Sequence, residues 1–183
     1  VNIDALTYAG NIENLHEEES NKNYFFKHGN ICSREDVLEA VSLVGGVDAI
    51  VNFAAESHVD NSIKNPGIFV ETNIQGTLTL LKVAQEADIR FLQVSTDEVY
   101  GSLGPEGLFE EETPLAPNSP YSASKTGADL LVRAWVETYG LDAVTTRCSN
   151  NYGPYQFPEN PIPFALTNLM DDGAMPVYGV GVN

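Results

Sequence analysis

The chain has 183 residues, 43% hydrophobic and 19% charged, which suits one globular domain with a sizeable core and argues against a disordered tail or a collagen-like fibre. Nine Lys and Arg against 26 Asp and Glu leave a net charge of −17, a surface that repels phosphate backbones and anionic lipid heads, so neither nucleic acid nor a membrane surface is an expected partner. The two cysteines, Cys32 and Cys148, are far apart in sequence and form no C-x-x-C pair, so a disulfide scaffold is not the organising principle; His16, His28 and His58 show no metal-ligand spacing, and no apolar run reaches the ~18 residues of a membrane span; a reduced, cytoplasmic setting without a metal is the expectation.

Val1 to Asp4 reads as the end of a short strand with an acid at its tip, and Asn11 to Glu19 as a polar helical connection whose Glu17–Glu19 run is solvated. A strand over Tyr24–His28 leads to a turn at Gly29-Asn30. Ser33 then caps a helix, with Asp36 as its capping partner, Val37, Leu38, Val41 and Val44 on one face, and a stop at Gly45-Gly46. The apolar run Asp48–Ala54 predicts a parallel strand covered on both faces. A long helix is predicted from Pro66 to about Ala87, with Val70, Ile74, Leu78, Leu81 and Ala84 at helical spacing. Ile89–Ser95 reads as the next strand and Gly101–Ser119 as a Gly- and Pro-rich loop, with a second solvated acidic run at Glu110–Glu112. Pro120–Tyr139 reads as a second long helix closed by Gly140, and Asp142–Arg147 as a strand. A Pro-rich loop at Gly153–Pro163 precedes a last helix near Phe164–Asp171, and Pro176–Tyr178 opens one more strand.

Strands alternating with helices predict an α/β protein with a parallel sheet. Ligands bind such sheets outside the carboxyl ends of the strands. The residues there are Asp4, Ala54 to His58, Ser95 to Glu98, and Cys148 to Tyr152.

Four patterns there or on a helix carry possible chemistry. Tyr121 and Lys125, four apart on a helix, share one face, and the ammonium is expected to lower the phenol's pKa toward a range useful for a base. The start of any amphipathic helix fits the same spacing. Thr96, Asp97 and Glu98 put a hydroxyl and two carboxylates at a strand tip, suited to acid, base and orienting donor, or alternatively to a solvated turn. The small residues of Ala54-Ala55-Glu56-Ser57-His58 allow a flat or phosphorylated ligand close to the backbone, though His58 alone also fits a hydrogen-bonded structural role. Asp4 is placed to bind ribose hydroxyls of an adenine nucleotide or simply to cap a turn.

Taken together the chain resembles the extended short-chain dehydrogenase/reductase family and, within it, the nucleotide-sugar 4,6-dehydratases that act on dTDP-glucose. The resemblance is carried by Asn2 to Asn11, Phe53 to Asp60, Thr72-Asn73, Ser95 to Gly101, Pro120 to Lys125, Thr146 to Pro154 and Pro176 to Gly179. Tyr-x-x-x-Lys is shared by the whole superfamily. Thr96-Asp97-Glu98 before Val-Tyr-Gly is narrower: epimerases usually have Ala at the Asp position, and GDP-mannose dehydratases and UDP-glucuronate decarboxylases usually keep only the Glu.

The resemblance implies a Rossmann-type doubly wound parallel sheet, NAD as cofactor and a lyase mechanism. Tyr121, helped by Lys125, would take the proton from the sugar's 4-hydroxyl as hydride leaves carbon 4 for NAD, with Thr96 bonded to the oxygen there. Glu98 would remove the acidified carbon-5 proton while Asp97 protonates the departing 6-hydroxyl, and the hydride would return to carbon 6. Asp4, Ala5, Leu6 and Thr7 would hold the adenosine side of NAD, Asn30 and Ile31 would flank adenine, and Ala54, Ala55, Glu56, Ser57, His58, Thr72 and Asn151 would line the rest. His58, Asn150, Asn160, Pro161, Pro176, Val177 and Tyr178 would face the nucleotide sugar. A homodimer through the two long helices is the implied assembly.

The same resemblance implies an NAD-binding domain over residues 1–153, lacking its first strand and Gly-rich loop, and the start of a substrate-binding region over 154–183. The first two strands should then be separated from the other three, and the isolated chain should be poorly stable and inactive. Asn30 stands where the family usually has Asp, Asn61 where it has Arg, Asn160-Pro161 where it has Lys-Leu near the substrate diphosphate, and Val180 where an acid is common. The alternatives are a related NAD-dependent sugar-nucleotide epimerase or decarboxylase, which Asp97 argues against, and a non-catalytic dinucleotide-binding module, which the intact Tyr121, Lys125, Asp97 and Glu98 argue against.

Overall fold

A computed structural model of the chain describes residues 1–174. They divide into two compact units, Val1–Ser149 and a second beginning at Asn150. The first unit contains five strands: β1 (Asn2–Asp4), β2 (Phe26–His28), β3 (Ala49–Asn52), β4 (Arg90–Thr96) and β5 (Ala143–Cys148). All pair in parallel, β1 with β2 in one sheet and β3-β4-β5 in another, so among the described residues the first two strands stand apart from the other three.

Local chemistry sets the helix ends. Ser33 accepts the Asp36 N–H at 3.2 Å and starts α1 (Arg34–Leu43), which gives way at Gly45 and Gly46, both at positive φ. A capping box between Ser119 and Ser122, with Pro120 in the first turn, starts α5 (Pro120–Tyr139); Gly140 ends it in the left-handed conformation at φ 71°. Asn11 caps a short 3₁₀ segment over Ile12–Glu18. A short helix, α2 (Val59–Lys64), follows β3 in a stretch whose sequence carries no clear helical period.

The long helix expected from Pro66 is continuous but not uniform. α3 (Pro66–Phe69) runs into a π-helical segment, Val70–Gly76, and on into α4 (Thr77–Glu86). The wider π turn, bonded i to i+5, keeps residues four apart in line, so Phe69, Asn73, Thr77 and Leu81 are buried while Val70 is 53% exposed. The expected apolar face is correct from Leu81 onward and rotated before it.

The core gathers Ile31 and Val37 with Leu80, Leu81, Val83 and Ala84 of α4, Ile89 and Phe91, and Val132 and Leu141. Helices α4 and α5 pack on the three-stranded sheet. β3 is not covered on both faces as its apolar run predicts. Its residues alternate, and Val51, like Val144 of β5, is half exposed while Asn52 is buried. In the second unit the last helix, α6 (Pro161–Met170), begins three residues earlier than expected, with a Pro at its first position, where proline's fixed φ suits a helix start.

Candidate active site

β4 carries Ser95 and Thr96 to its carboxyl tip, where a 3₁₀ turn, Asp97–Tyr100, takes over. The Thr96 hydroxyl accepts the Glu98 N–H at 3.2 Å and caps that turn, so the two carboxylates project from a rigid corner. Gly101 ends the turn at φ 86°, where an added methyl would fall 2.3 Å from the Ala116 carbonyl oxygen. Only glycine fits.

Tyr121 and Lys125 approach the same corner from the first turns of α5, and both are buried. Burial raises the Tyr121 phenol to about 12; Glu98, Cys148 and Asp97 add to the rise, and the Thr96 hydroxyl opposes it. Burial and Asp97 also push the Glu98 carboxyl up. Helix α5 packs against the Asp97–Tyr100 turn, which brings the start of that helix beside the tip of β4. The expected lowering of the phenol by Lys125 is absent. The Lys125 ammonium donates instead to the Val94 carbonyl at 2.7 Å, and burial lowers its own pKa while Asp129 and Cys148 oppose that.

The strip after β3 is tied to this site by a residue the sequence reading passed over. Asn73, 1% exposed in the π segment, accepts the Glu56 N–H (2.8 Å) and donates to the Glu56 carbonyl (2.9 Å) and the Ser124 hydroxyl (2.8 Å). Ser124 in turn donates to the Tyr121 carbonyl at 2.7 Å. The motif Thr72-Asn73 was visible, but the reach from Asn73 to Glu56 was not. Ala54 and Ala55 are half-buried, Ser57 is exposed, and His58 leads into α2.

A second group forms around β1 and β2. Asp4 is exposed at its strand tip and accepts the Leu6 N–H at 2.7 Å, with Leu6 at φ 48°; His28 Nε2 lies 3.2 Å from the Ala5 carbonyl, and Gly29 donates to the Asp4 carbonyl. Thr7 is exposed beside them. Asn30 accepts the Cys32 N–H at 2.8 Å. The Ile31 side chain is buried against Gly76 and so offers a ligand only its main chain. The π segment, which includes half-buried Thr72, links the two groups: Cys32 Sγ donates to the Glu71 carbonyl, and Asn73 holds Glu56.

Two observations suit a dinucleotide along these strand tips. The Asp4 carboxylate is exposed where ribose hydroxyls would approach, and the buried His58 Nδ1 has no hydrogen-bond partner among the described residues. Asn150, Asn151, Asn160 and Pro161 belong to the second unit, where Asn151 accepts a bond from Gln156 Nε2 and Asn160 starts α6. Pro176, Val177 and Tyr178, like Val180, lie outside the described residues. Among those described, no group of three His, Cys, Asp or Glu is placed to hold a metal, and no helix is long and apolar enough to cross a membrane.

Residues 1–182 match the family model described as GDP-mannose 4,6 dehydratase. The chain belongs to this family. Its relatives include the dTDP-glucose 4,6-dehydratase of Streptomyces niveus, 53% identical over 99% of this chain and 53% of the relative. That of Neisseria meningitidis serogroup B is 50% identical over the full chain and 54% of the relative. Among solved structures, the Streptomyces venezuelae dTDP-glucose 4,6-dehydratase DesIV with NAD and TYD bound aligns with a TM-score of 0.93 at 53% identity, over 99% of this chain and 55% of that one. The Thermotoga maritima UDP-glucose 4-epimerase with UDP-glucose aligns at 0.85 and 26%, over 98% and 57%. The fold is the Rossmann-type parallel α/β fold of these dehydratases and epimerases, its sheet incomplete among the described residues. The chain spans about half the length of the relatives it matches.

Proposed function

We propose that the protein carrying this chain is a dTDP-glucose 4,6-dehydratase that uses NAD. The observation that carries the reading is the packing of α5, with its buried Tyr121, against the turn that holds Asp97 and Glu98. Bound NAD would accept hydride from sugar carbon 4 and give it back at carbon 6. Asp4 to Thr7, the Asn30–Ile31 main chain, Ala54 to His58 and Thr72, all in the first unit, would hold it.

The residues divide the proton work. Thr96 and Tyr121 bind the oxygen at carbon 4, and Tyr121 removes its proton. A phenol near 12 is a reluctant base, so this role needs a positive charge brought to it; Lys125, one helical turn on, is the candidate. Once carbon 4 is a ketone, the carbon-5 proton is acidic. Glu98, exposed enough to reach it and with a raised pKa, takes that proton, and the carbon–oxygen bond at carbon 6 breaks as Asp97 supplies a proton to the leaving hydroxyl, which departs as water. Elimination needs both carboxyl groups; epimerisation does not. The relatives named dTDP-glucose 4,6-dehydratase support this choice.

The protein is further read as a cytoplasmic homodimer. On the two long helices, Val70 of the π segment and Leu130 of α5 expose apolar surface that a second copy would cover.

The test is incubation of the whole protein with dTDP-glucose, following the ultraviolet absorbance of base-treated 4-keto product together with free NADH. Keto sugar without net NADH is the expected result, with the rate falling at least about a hundredfold in Asp97→Ala and in Glu98→Ala. No keto sugar would overturn the reading.

A further inference from the structure

Further along the Tyr121–Lys125 face of α5 lies a charged cluster that the chemistry above does not use. Asp129 is one turn beyond Lys125 on α5, and its side chain is 1% exposed. Arg147, from the carboxyl half of β5, donates Nε to Asp129 Oδ2 at 2.9 Å and Nη1 to the Tyr100 phenol oxygen at 2.9 Å. Its guanidinium also lies over the Tyr100 ring, 5.0 Å from the centroid. Tyr100 is the last residue of the turn that begins with Asp97, and its ring stacks on Phe109 at 5.1 Å. The other Asp129 oxygen and the Ser95 hydroxyl make no hydrogen bond of ordinary geometry, although the hydroxyl is near enough to favour the carboxylate.

A buried ion pair is weak evidence for stability, because desolvation offsets the attraction. What a planar guanidinium supplies is direction. Its donors leave in fixed orientations, so one group bonded to two elements sets the angle between them. Here the two elements are the helix that carries Tyr121 and Lys125 and the turn that carries Asp97 and Glu98.

We propose that Arg147 is a positioning residue, anchored on Asp129, that holds the Asp97–Tyr100 turn in register with Tyr121 and so aligns the acid–base pair for elimination. This rests on the dehydratase reading. Oxidation at carbon 4 relies on Tyr121, which sits on the helix itself, whereas elimination relies on the turn. Loosening the link should therefore slow elimination more than oxidation.

Two variants of the whole protein test this. Arg147→Lys keeps a cation for Asp129 but has no fork to span both partners. Tyr100→Phe removes the acceptor on the turn and keeps the ring that stacks on Phe109. In single-turnover reactions with dTDP-glucose, oxidation is read from transient nicotinamide reduction and elimination from product formation. Without substrate, amide exchange at Glu98 and Gly101 reads the turn directly. In both variants elimination should fall about tenfold or more, oxidation less than about threefold, and amide exchange should rise, with KM little changed. Equal slowing of both steps, or no slowing with amide exchange unchanged, would overturn the proposal. Should Arg147→Lys fail to fold, Tyr100→Phe decides alone. An unsubstituted protein that makes no keto sugar would instead overturn the dehydratase reading, and this proposal with it.

Discussion

Asn73 grips the backbone of Glu56 from both sides, accepting its N–H at 2.8 Å and donating to its carbonyl at 2.9 Å. The two residues are 17 apart in sequence, and the pair fixes where the strip Ala54 to His58 lies against the helices. Asn73 reaches it because the π segment turns that position inward. The proposed cofactor strip is thus held by an irregular helix, and π turns often occur at functional sites.

Asn73→Ala removes three buried hydrogen bonds at once, including that to Ser124. The whole protein should lose about 2–4 kcal/mol of stability in denaturant titration. A loss under about 0.5 kcal/mol would mean the strip is held by other contacts.

Glu98 makes a prediction with a definite sign. Burial and Asp97 raise its pKa from the ordinary 4.5, so the folded protein holds this proton more tightly than the unfolded chain does. Ionising the group then costs stability above the folded pKa; the cost shrinks as pH falls through that value and is gone below about 4.5. Glu98→Gln should raise Tm at neutral pH, and the gain should vanish in mild acid. A gain that persists or grows in acid would contradict this.

Tyr121, at about 12, should remain a phenol in ligand-free protein at a pH where ordinary tyrosines are half ionised, about 10. Tyrosine carbon-13 NMR of the whole protein, with Tyr121→Phe to assign the signal, reads this directly. Glu98→Gln should move the titration downward and Thr96→Ala upward. An ordinary midpoint in the unsubstituted protein would show that burial does not control this phenol.

Gly101→Ala should be costly for a local reason. The residue needs φ 86°, ψ −139°, and a methyl there meets a backbone oxygen at 2.3 Å. The expected loss is about 3 kcal/mol or more, with kcat reduced because the Glu98 turn must shift. Urea titration and steady-state kinetics check both.

Features that depend on neighbours in sequence were legible. Ser33 with Asp36, Gly140 after a 20-residue helix, and the Tyr121–Lys125 spacing all follow from contacts within one turn. Features set by distant partners were not. Asn73 meets Glu56 across 17 residues, Arg147 meets Asp129 across 18, and Lys125 turns to the Val94 carbonyl 31 residues away rather than to Tyr121. The open side of β3 was hidden for a similar reason: apolar composition records what a strand prefers to have against it, and only the packing of α4 and α5 shows which face they take.

In the proposed dehydratase, one site would oxidise, eliminate water and return the same hydride. The most direct test gives the whole protein dTDP-glucose carrying deuterium at carbon 4, in ordinary water, and locates the label in the product by NMR. Deuterium at carbon 6 of a 4-keto-6-deoxy sugar is the predicted result. Label retained at carbon 4, returned there in an epimer, or lost to solvent would contradict the account.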